Sequence, residues 1–344
     1  MSDYTATMDT CRRPLDTRSR APMRRNRELV RYATLATNSH NTQPWFFDVS
    51  EDRITVHIDR SRRCVVVDPD DHHLHVSLGC ATENIVIAAS GFGIVATPCI
   101  ASDGASVQID LVEEAIPASP LIAAIPLRQT TRSLFDGKPL TEAEKLALTD
   151  AAAGPDVTFH LIQSPECIAA LREMVVVGNA KQMANPKFVA ELVLWIRFSA
   201  RGARIRRDGL FGRCLGNPSL PEWVGRVIFP FVFRVSSETA KIRHQISSAS
   251  ALAVFVSDRN TPVNWVETGR AFQRFALAAT SLGLMNAHIN QAIEVSEQRD
   301  QVATLLGETE GRPSLLLRIG RGEPMPYSYR RNVEEVMTET RKWN

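Results

Sequence analysis

Apolar residues fall at helical spacing along two long stretches of the chain and at alternating spacing along several short ones. In the first half, Leu29, Ala33 and Ala36 mark a helix from an N-cap at Asn26 to about Ala36. Ile54, Val56 and Ile58 alternate with Thr55, His57 and Asp59, the pattern of a half-buried strand. Leu74, Leu78, Ala81, Ile85 and Ala88 then predict a long helix, capped by Asp70 and Asp71 and stopped at Gly91. Its last turns are apolar on nearly every side, which places this helix in the core. Strands at Ile94–Ile100 and Val107–Val112 complete the half.

A second unit opens near Ile125 and repeats this order. A helix from Thr141, a strand at Val157–Ile162 and a helix after Ser164 precede a buried strand at Leu252–Ser257. A second long helix runs from about Glu267 to Leu282, with Phe272, Phe275, Ala276, Ala279 and Leu282 on one stripe and Gly283 as its stop. Ser314–Ile319 is another buried strand, followed by a basic tail. The repeated order hints at duplication, with a leader over residues 1–24, a first half over 25–124 and a second over 125–344. Residues 178–241 fit neither half: apolar runs at 188–198 and 227–233 flank an arginine-rich patch, as in an insertion that covers something.

Composition narrows the function. At 344 residues the chain suits two domains, and 44 % hydrophobic with 23 % charged residues is ordinary for a soluble protein. No apolar run reaches the roughly 18–20 residues that cross a bilayer. A net charge of +2 gives no overall attraction for nucleic acid, so neither nucleic acid nor membrane is an expected partner. Residues 12–31 hold eight arginines against Asp16 and Glu28. No apolar stretch follows to make an export signal and no aromatics interleave to stack bases, which leaves a solvated leader. Six scattered cysteines without a CxxC pair point to free thiols and a cytoplasmic protein.

Two polar clusters could carry chemistry. Thr37–Phe47 (TNSHNTQPWFF) strings hydrogen-bonding side chains together before a Pro-Trp stop, either to satisfy a helix end or to bind something. In Arg128–Arg132 (RQTTR), Arg128, Thr130 and Arg132 can face one way along an extended segment. Two guanidinium forks and a hydroxyl suit a phosphate, although arginines at a domain boundary are commonly surface charge. A third segment, Asp68–Gly79 (DPDDHHLHVSLG), invites a metal reading but reads better as a helix start, and no metal ligands are expected.

Together, the first two clusters resemble the nitroreductase superfamily of FMN enzymes. There, a P-S-S-x-N-x-Q-P-W loop and an R-x-S-x-R/K motif serve one site. Here the loop comes first and the arginines open the second half, an inversion similar to the twin-domain Acg-type branch. The resemblance implies an α+β fold of two fused halves forming an internal pseudo-dimer within a monomer. It implies FMN, with NAD(P)H as donor and a nitroaromatic or quinone as acceptor, and no obligatory catalytic side chain. The alternative is FMN storage without turnover, beneath the insertion as a lid. Arg128 and Thr130, joined by Arg330 or Arg331, would hold the FMN phosphate. Arg132 would lie near N1 and the C2 carbonyl. Asn38, Ser39 and Asn41 would reach the ring and ribityl chain across the interface. His288, Ile289, Asn290 and Gln291 would line the ring near N5, largely through backbone. A second loop, expected at Val157–Pro165, lacks the motif, which implies one complete site. Thr37-Asn38 replaces the family's Pro-Ser, and Asn290-Gln291 replaces its Glu-Gly.

Overall fold

A computed structural model describes residues 8, 10–19, 21–232 and 234–339. The first half begins with α1 (Pro22–Thr34). It starts before the expected cap because Pro22 has a φ suited to a first turn. Asn26 is instead buried inside the helix, donating to the Ser50 carbonyl at 2.7 Å. β1 (Trp45–Val49) and β2 (Arg53–Ile58) follow, with Ile54, Val56 and Ile58 facing inward as their alternation requires. The long α2 (His72–Ser90) is buried at all but one position. β3 (Ile94–Ile100) and β4 (Ser106–Glu113) complete an antiparallel order β1-β2-β4-β3.

In the second half come α3 (Glu142–Ala152), β5 (Val157–Ile162) and α4 (Pro165–Ala184). Gly178 lies inside α4, where a Cβ would come within 2.3 Å of the Gln291 carbonyl oxygen. The helix therefore packs into the half itself, and the insertion proper starts beyond it. That insertion comprises α5 (Pro186–Trp195), β6 (Ile196–Arg197), α6 (Ala200–Arg206), β7 (Leu210–Phe211), α7 (Glu222–Val232) and α8 (Val235–Ser247). Within its apolar run 227–233, Phe233 lies outside the described residues, as do the side chains of 230–232.

β8 (Ala251–Ser257) leads into the second long helix, α9 (Pro262–Ser281). Then come β9 (Met285–His288), α10 (Gln291–Glu294), α11 (Ser296–Leu306) and β10 (Arg312–Gly320). The sheet order β5-β8-β10-β9 matches that of the first half, with a long helix between the second and third strands of each. The hint of duplication is thus realised as one topology used twice. The tail crosses back: α12 (Val333–Val336) leads to β11 (Met337–Glu339), which pairs parallel with β1. Among the described residues, no helix is long and apolar enough to cross a membrane.

The described part of the basic leader is partly solvated, with Arg13 and Arg18 exposed, and partly fastened down. Arg12 donates to the Pro126 carbonyl at 2.6 Å and lies 3.9 Å from the Tyr327 ring centroid. Arg31 of α1 donates to the carbonyls of Cys11 and Arg13, each at 3.0 Å. Residues 1–7, 9 and 20 of that leader lie outside the described residues.

The halves meet where α2 crosses α9. A Cβ on Gly79 would stand 2.0 Å from the Val266 carbonyl oxygen, and one on Gly269 would stand 2.0 Å from that of Val76. The contact is reciprocal, as at a two-fold axis, and it needs both glycines because the obstacle is backbone. Gly79→Ala or Gly269→Ala is expected to cost more than about 3 kcal/mol in denaturant unfolding. Gly283→Ala, at φ +70 with nothing within 4 Å, is the control; it should cost only about 1 kcal/mol through its backbone. Equal losses at all three positions would refute the close approach as the constraint.

Candidate functional site

A cavity of about 340 Å³ opens between the halves, within the usual range for a small-molecule site. Arg128, Thr130, Arg132, Asn38, Ser39, Asn41, His288, Ile289, Asn290, Gln291 and Arg330 all line it. Arg331 does not. Its backbone N–H donates to Gln43 Oε1 at 2.7 Å, and it lines a neighbouring cavity rich in arginine.

The RQTTR segment runs extended beside β9, with Thr131 N–H donating to the Asn286 carbonyl at 2.9 Å. Extended backbone alternates its side chains. Thr131 points into the protein, while Arg128, Thr130 and Arg132 line the cavity and Gln129, before the bridged residue, lines it too. Arg128 is 3 % exposed, and its Nε and Nη1 have no hydrogen-bond partner among the described residues. Burial, then the charge of Arg12, pushes its pKa down to about 10. Arg330 is pushed down to about 9 by burial, with Arg12 and Arg128 adding to the effect.

Arg318, inside the buried strand β10, joins them. It donates to the carbonyls of Thr131 and Ser133 at 3.1 and 2.8 Å, lies over the Phe135 ring, and leaves Nε and Nη1 without partners. No carboxylate pairs with Arg128, Arg318 or Arg330 among the described residues. Burying cations without a counter-charge is costly, and the unpartnered donors of this wall have the chemistry to bind an anion.

The TNSHNTQPW loop answers why so many polar side chains precede Pro44. His40, Asn41 and Gln43 take left-handed backbone at φ 48, 53 and 53, a conformation that side chains must stabilise. Asn38 Oδ1 accepts from Gln43 N–H at 2.9 Å, and its Nδ2 donates to the Ala36 carbonyl at 3.1 Å. Gln43 donates to the Arg207 carbonyl at 2.8 Å. Asn41 Nδ2 donates to the carbonyls of Gly209 and Tyr329 at 2.9 and 3.1 Å, while its Oδ1 accepts from Arg330. The amides of Asn38 and Asn41 are thus engaged by the protein itself. They shape the loop and aim Arg330, while both residues still line the cavity.

At the other wall one backbone group and one side chain are similarly engaged, and both residues line the cavity. Ile289 N–H donates to the Leu316 carbonyl, and Asn290 Oδ1 accepts from Leu316 N–H, both at 2.9 Å. Neither group faces the cavity as a free contact. His288 presents both ring nitrogens without partners, edge-on to Phe272 at 5.0 Å. Burial, followed by His73, Arg128 and Arg132, lowers its pKa to about 3. Glu294 also lines the cavity and accepts from Gln182 Nε2 at 2.6 Å. Burial raises its pKa despite His73. Sequence reading passed over Arg318 and Glu294. The lone charge in Leu315-Leu316-Leu317-Arg318-Ile319 was a usable signal for the first, and the four-residue step from Asn290 for the second.

Two expectations are corrected here. Val157–Ile162 is strand β5, so the second half's counterpart of the loop is the short connection over residues 153–156, too short to carry such contacts. On the helices, the matched pairs Val76/Gly79 and Val266/Gly269 set Ser77 and Cys80 opposite Glu267 and Arg270. Arg270 pairs with Glu83 at 2.9 Å and Glu267 at 3.0 Å, filling the space with charge. Asp71 holds the N-cap position of α2, as expected, but its carboxylate pairs with Arg60 and Arg63 and makes no cap bond, and Asp70 pairs with Arg312. Asp68 accepts from His73 and Leu74 N–H instead, at 3.0 and 3.1 Å. Ligating atoms of Asp68, His72 and His73 lie within 4.8 Å of one another, while both Asp68 oxygens already accept from those N–H groups.

No family model matches the chain. Over 326 residues it is 23 % identical to "Putative NAD(P)H nitroreductase Rv3131" of Mycobacterium tuberculosis H37Rv, spanning 90 % of each chain. It is 24 % identical over 324 residues to that organism's "Putative NAD(P)H nitroreductase acg", spanning 89 % of this chain and 93 % of the relative. The resemblance to Acg-type nitroreductases therefore extends along almost the whole chain. Among solved structures, the NADPH:FMN oxidoreductase of Vibrio harveyi complexed with NAD+ aligns at 15 % identity and a TM-score of 0.40, over 66 % of this chain and 79 % of that one. A Bacteroides fragilis nitroreductase with bound FMN aligns at 15 % identity and 0.37, over 60 % and 90 %.

Burial holds the pKa of His288 near 3 and that of His40 near 4, against 6.5 for an exposed histidine. Between those values the unfolded chain binds more protons, so the contribution of these two histidines is complete above pH 6.5 and is lost as pH falls toward 4. His288→Asn should flatten the dependence of the melting temperature on pH across that interval. Parallel curves for wild type and variant would exclude His288 as a source of acid lability.

Proposed function

We propose that this chain holds FMN between its halves and uses NAD(P)H to reduce a nitroaromatic or quinone acceptor, as an internal pseudo-dimer complete in one chain. The observation that carries this reading is the buried Arg128, with two unpartnered donor atoms, facing the same cavity as a loop from the other half. Fork-shaped donors of that kind fit phosphate oxygens, and Thr130 and Arg330 stand on the same wall. Val76, Phe272 and Leu315 supply an apolar surface suited to a planar ring. The names of the mycobacterial relatives support the same reading.

In this reading Arg128, Thr130 and Arg330 anchor the phosphate, and Arg132 and Arg318 lay positive charge along the ring. Phe188, Leu192 and Phe229 of the insertion exclude water. Glu294 stands on the same cavity lining, where burial favours its neutral form. Bound FMN would supply the transfer of a hydride from donor to acceptor.

A second reading, FMN held without turnover, draws on how the insertion is locked. Arg62 and Arg197 both pair with Asp208, and Gln43 bonds to Arg207, so the apolar inner face is tied across the cavity. Anaerobic bleaching of the yellow protein by NADPH or NADH selects the first reading; bleaching by dithionite alone selects the second. Arg128→Ala should weaken FMN binding by about 10- to 100-fold, the equivalent of a charge-assisted contact of about 1.5–3 kcal/mol. Unchanged retention measured by absorbance after gel filtration would remove the phosphate assignment.

A further inference from the structure

The outer face of the insertion is apolar and cationic together. On α7, Gly225 and Phe229 point inward: a Cβ on Gly225 would stand 2.3 Å from the Phe198 ring, and Phe229 meets that ring edge-on at 5.9 Å. Helical geometry therefore turns Trp223, Arg226 and Val227 outward, and Trp223 is 72 % exposed and Val227 61 %. The start of α6 lies against α7, with Ser199 donating to Glu222 at 3.0 Å; at its other end Ile205 is 65 % exposed. A large tryptophan left in water one helical turn from an exposed valine is unusual for a monomer's surface.

The charge around this face has one sign. Residues 194–237 carry only two acids, Asp208 and Glu222. Asp208 pairs with Arg62 and Arg197, and Glu222 is turned to Ser199. Arg201, Arg206 and Arg226 are exposed and form no ion pair among the described residues. Apolar side chains with tryptophan, ringed by arginines and free of carboxylates, match the boundary of an anionic bilayer, where acyl chains take the first and headgroups attract the second.

We propose that the outer face of α6 and α7 docks the protein onto an anionic lipid bilayer. Attachment is peripheral, consistent with the absence of a spanning helix among the described residues. Phe229 lines the cavity from the inner side of the same helix whose outer side carries Trp223 and Val227. An acceptor dissolved in the bilayer would thus meet the cavity through one layer of helix. That consequence rests on the oxidoreductase reading; docking itself does not, and it is measured without turnover.

The full chain is mixed with vesicles of phosphatidylcholine alone, or with about one third phosphatidylglycerol, and sedimented at low and high salt. Expected are co-sedimentation with the anionic vesicles only, release by salt, and a blue shift of tryptophan emission. Trp223→Ser combined with Arg226→Gln should weaken vesicle binding at least tenfold while the circular dichroism spectrum stays unchanged. Trp223→Phe should keep binding and lose most of the emission shift. Four results would overturn the proposal: equal binding to neutral vesicles, undiminished binding by the double variant, a dimer in analytical ultracentrifugation that the double variant abolishes with no vesicle binding, or binding to duplex DNA in place of vesicles.

Discussion

The close crossing of α2 and α9 is the constraint on which the remainder rests. Because each glycine faces a backbone carbonyl, the helices can approach only with both Cβ positions empty. That approach sets the halves in reciprocal register and brings Val76 and Cys80 of one helix and Phe272 of the other to a single cavity. A buried polar contact adds direction: Gln273 Nε2 donates to Asn84 Oδ1 at 2.8 Å, and Glu83 binds both Arg270 and Arg274. Apolar packing alone would leave the helices free to slide.

The symmetry of that crossing is broken by side chains. On one side, small Ser77 and Cys80 leave room beneath the arginines. On the other, Glu267 and Arg270 occupy the matching places and neutralise each other. Duplication of topology therefore leaves unlike side chains at matching helix positions, Ser77 and Cys80 on α2 against the ion-paired Glu267 and Arg270 on α9. The unpaired arginines carry an energetic cost, offset by the framework that holds them: carbonyls of Thr131 and Ser133 for Arg318, and the Asn41 amide for Arg330.

Chain segments remote in sequence converge on the loop at Asn38–Gln43. Gly209 of the insertion exchanges two hydrogen bonds with Asn41, since its N–H donates to the Asn41 carbonyl and its carbonyl accepts from Nδ2. The tail contributes Tyr329, Arg330 and Arg331 to the same loop before β11 joins the first sheet. Left-handed backbone at three non-glycine positions persists because these partners surround it. Insertion, tail and loop are thus joined in one hydrogen-bonded network.

Much of this was written in local pattern. The periods of α2, α9 and the alternating strands reflect burial on one face, which neighbouring residues encode directly, and the arginine and asparagine clusters announced the cavity wall. Local pattern could not say that Asn41 would spend its amide on Arg330 and Gly209, that Asp68 would take the N–H groups of His73 and Leu74, or that Arg331 would turn away from its neighbour's cavity. Those choices depend on which distant carbonyl or carboxylate arrives within hydrogen-bond reach. The sequence by itself determined the elements and the chemical groups on offer; only the tertiary structure decided which groups are satisfied and which are left facing the cavity, because a buried polar atom's partners are set by packing and not by spacing.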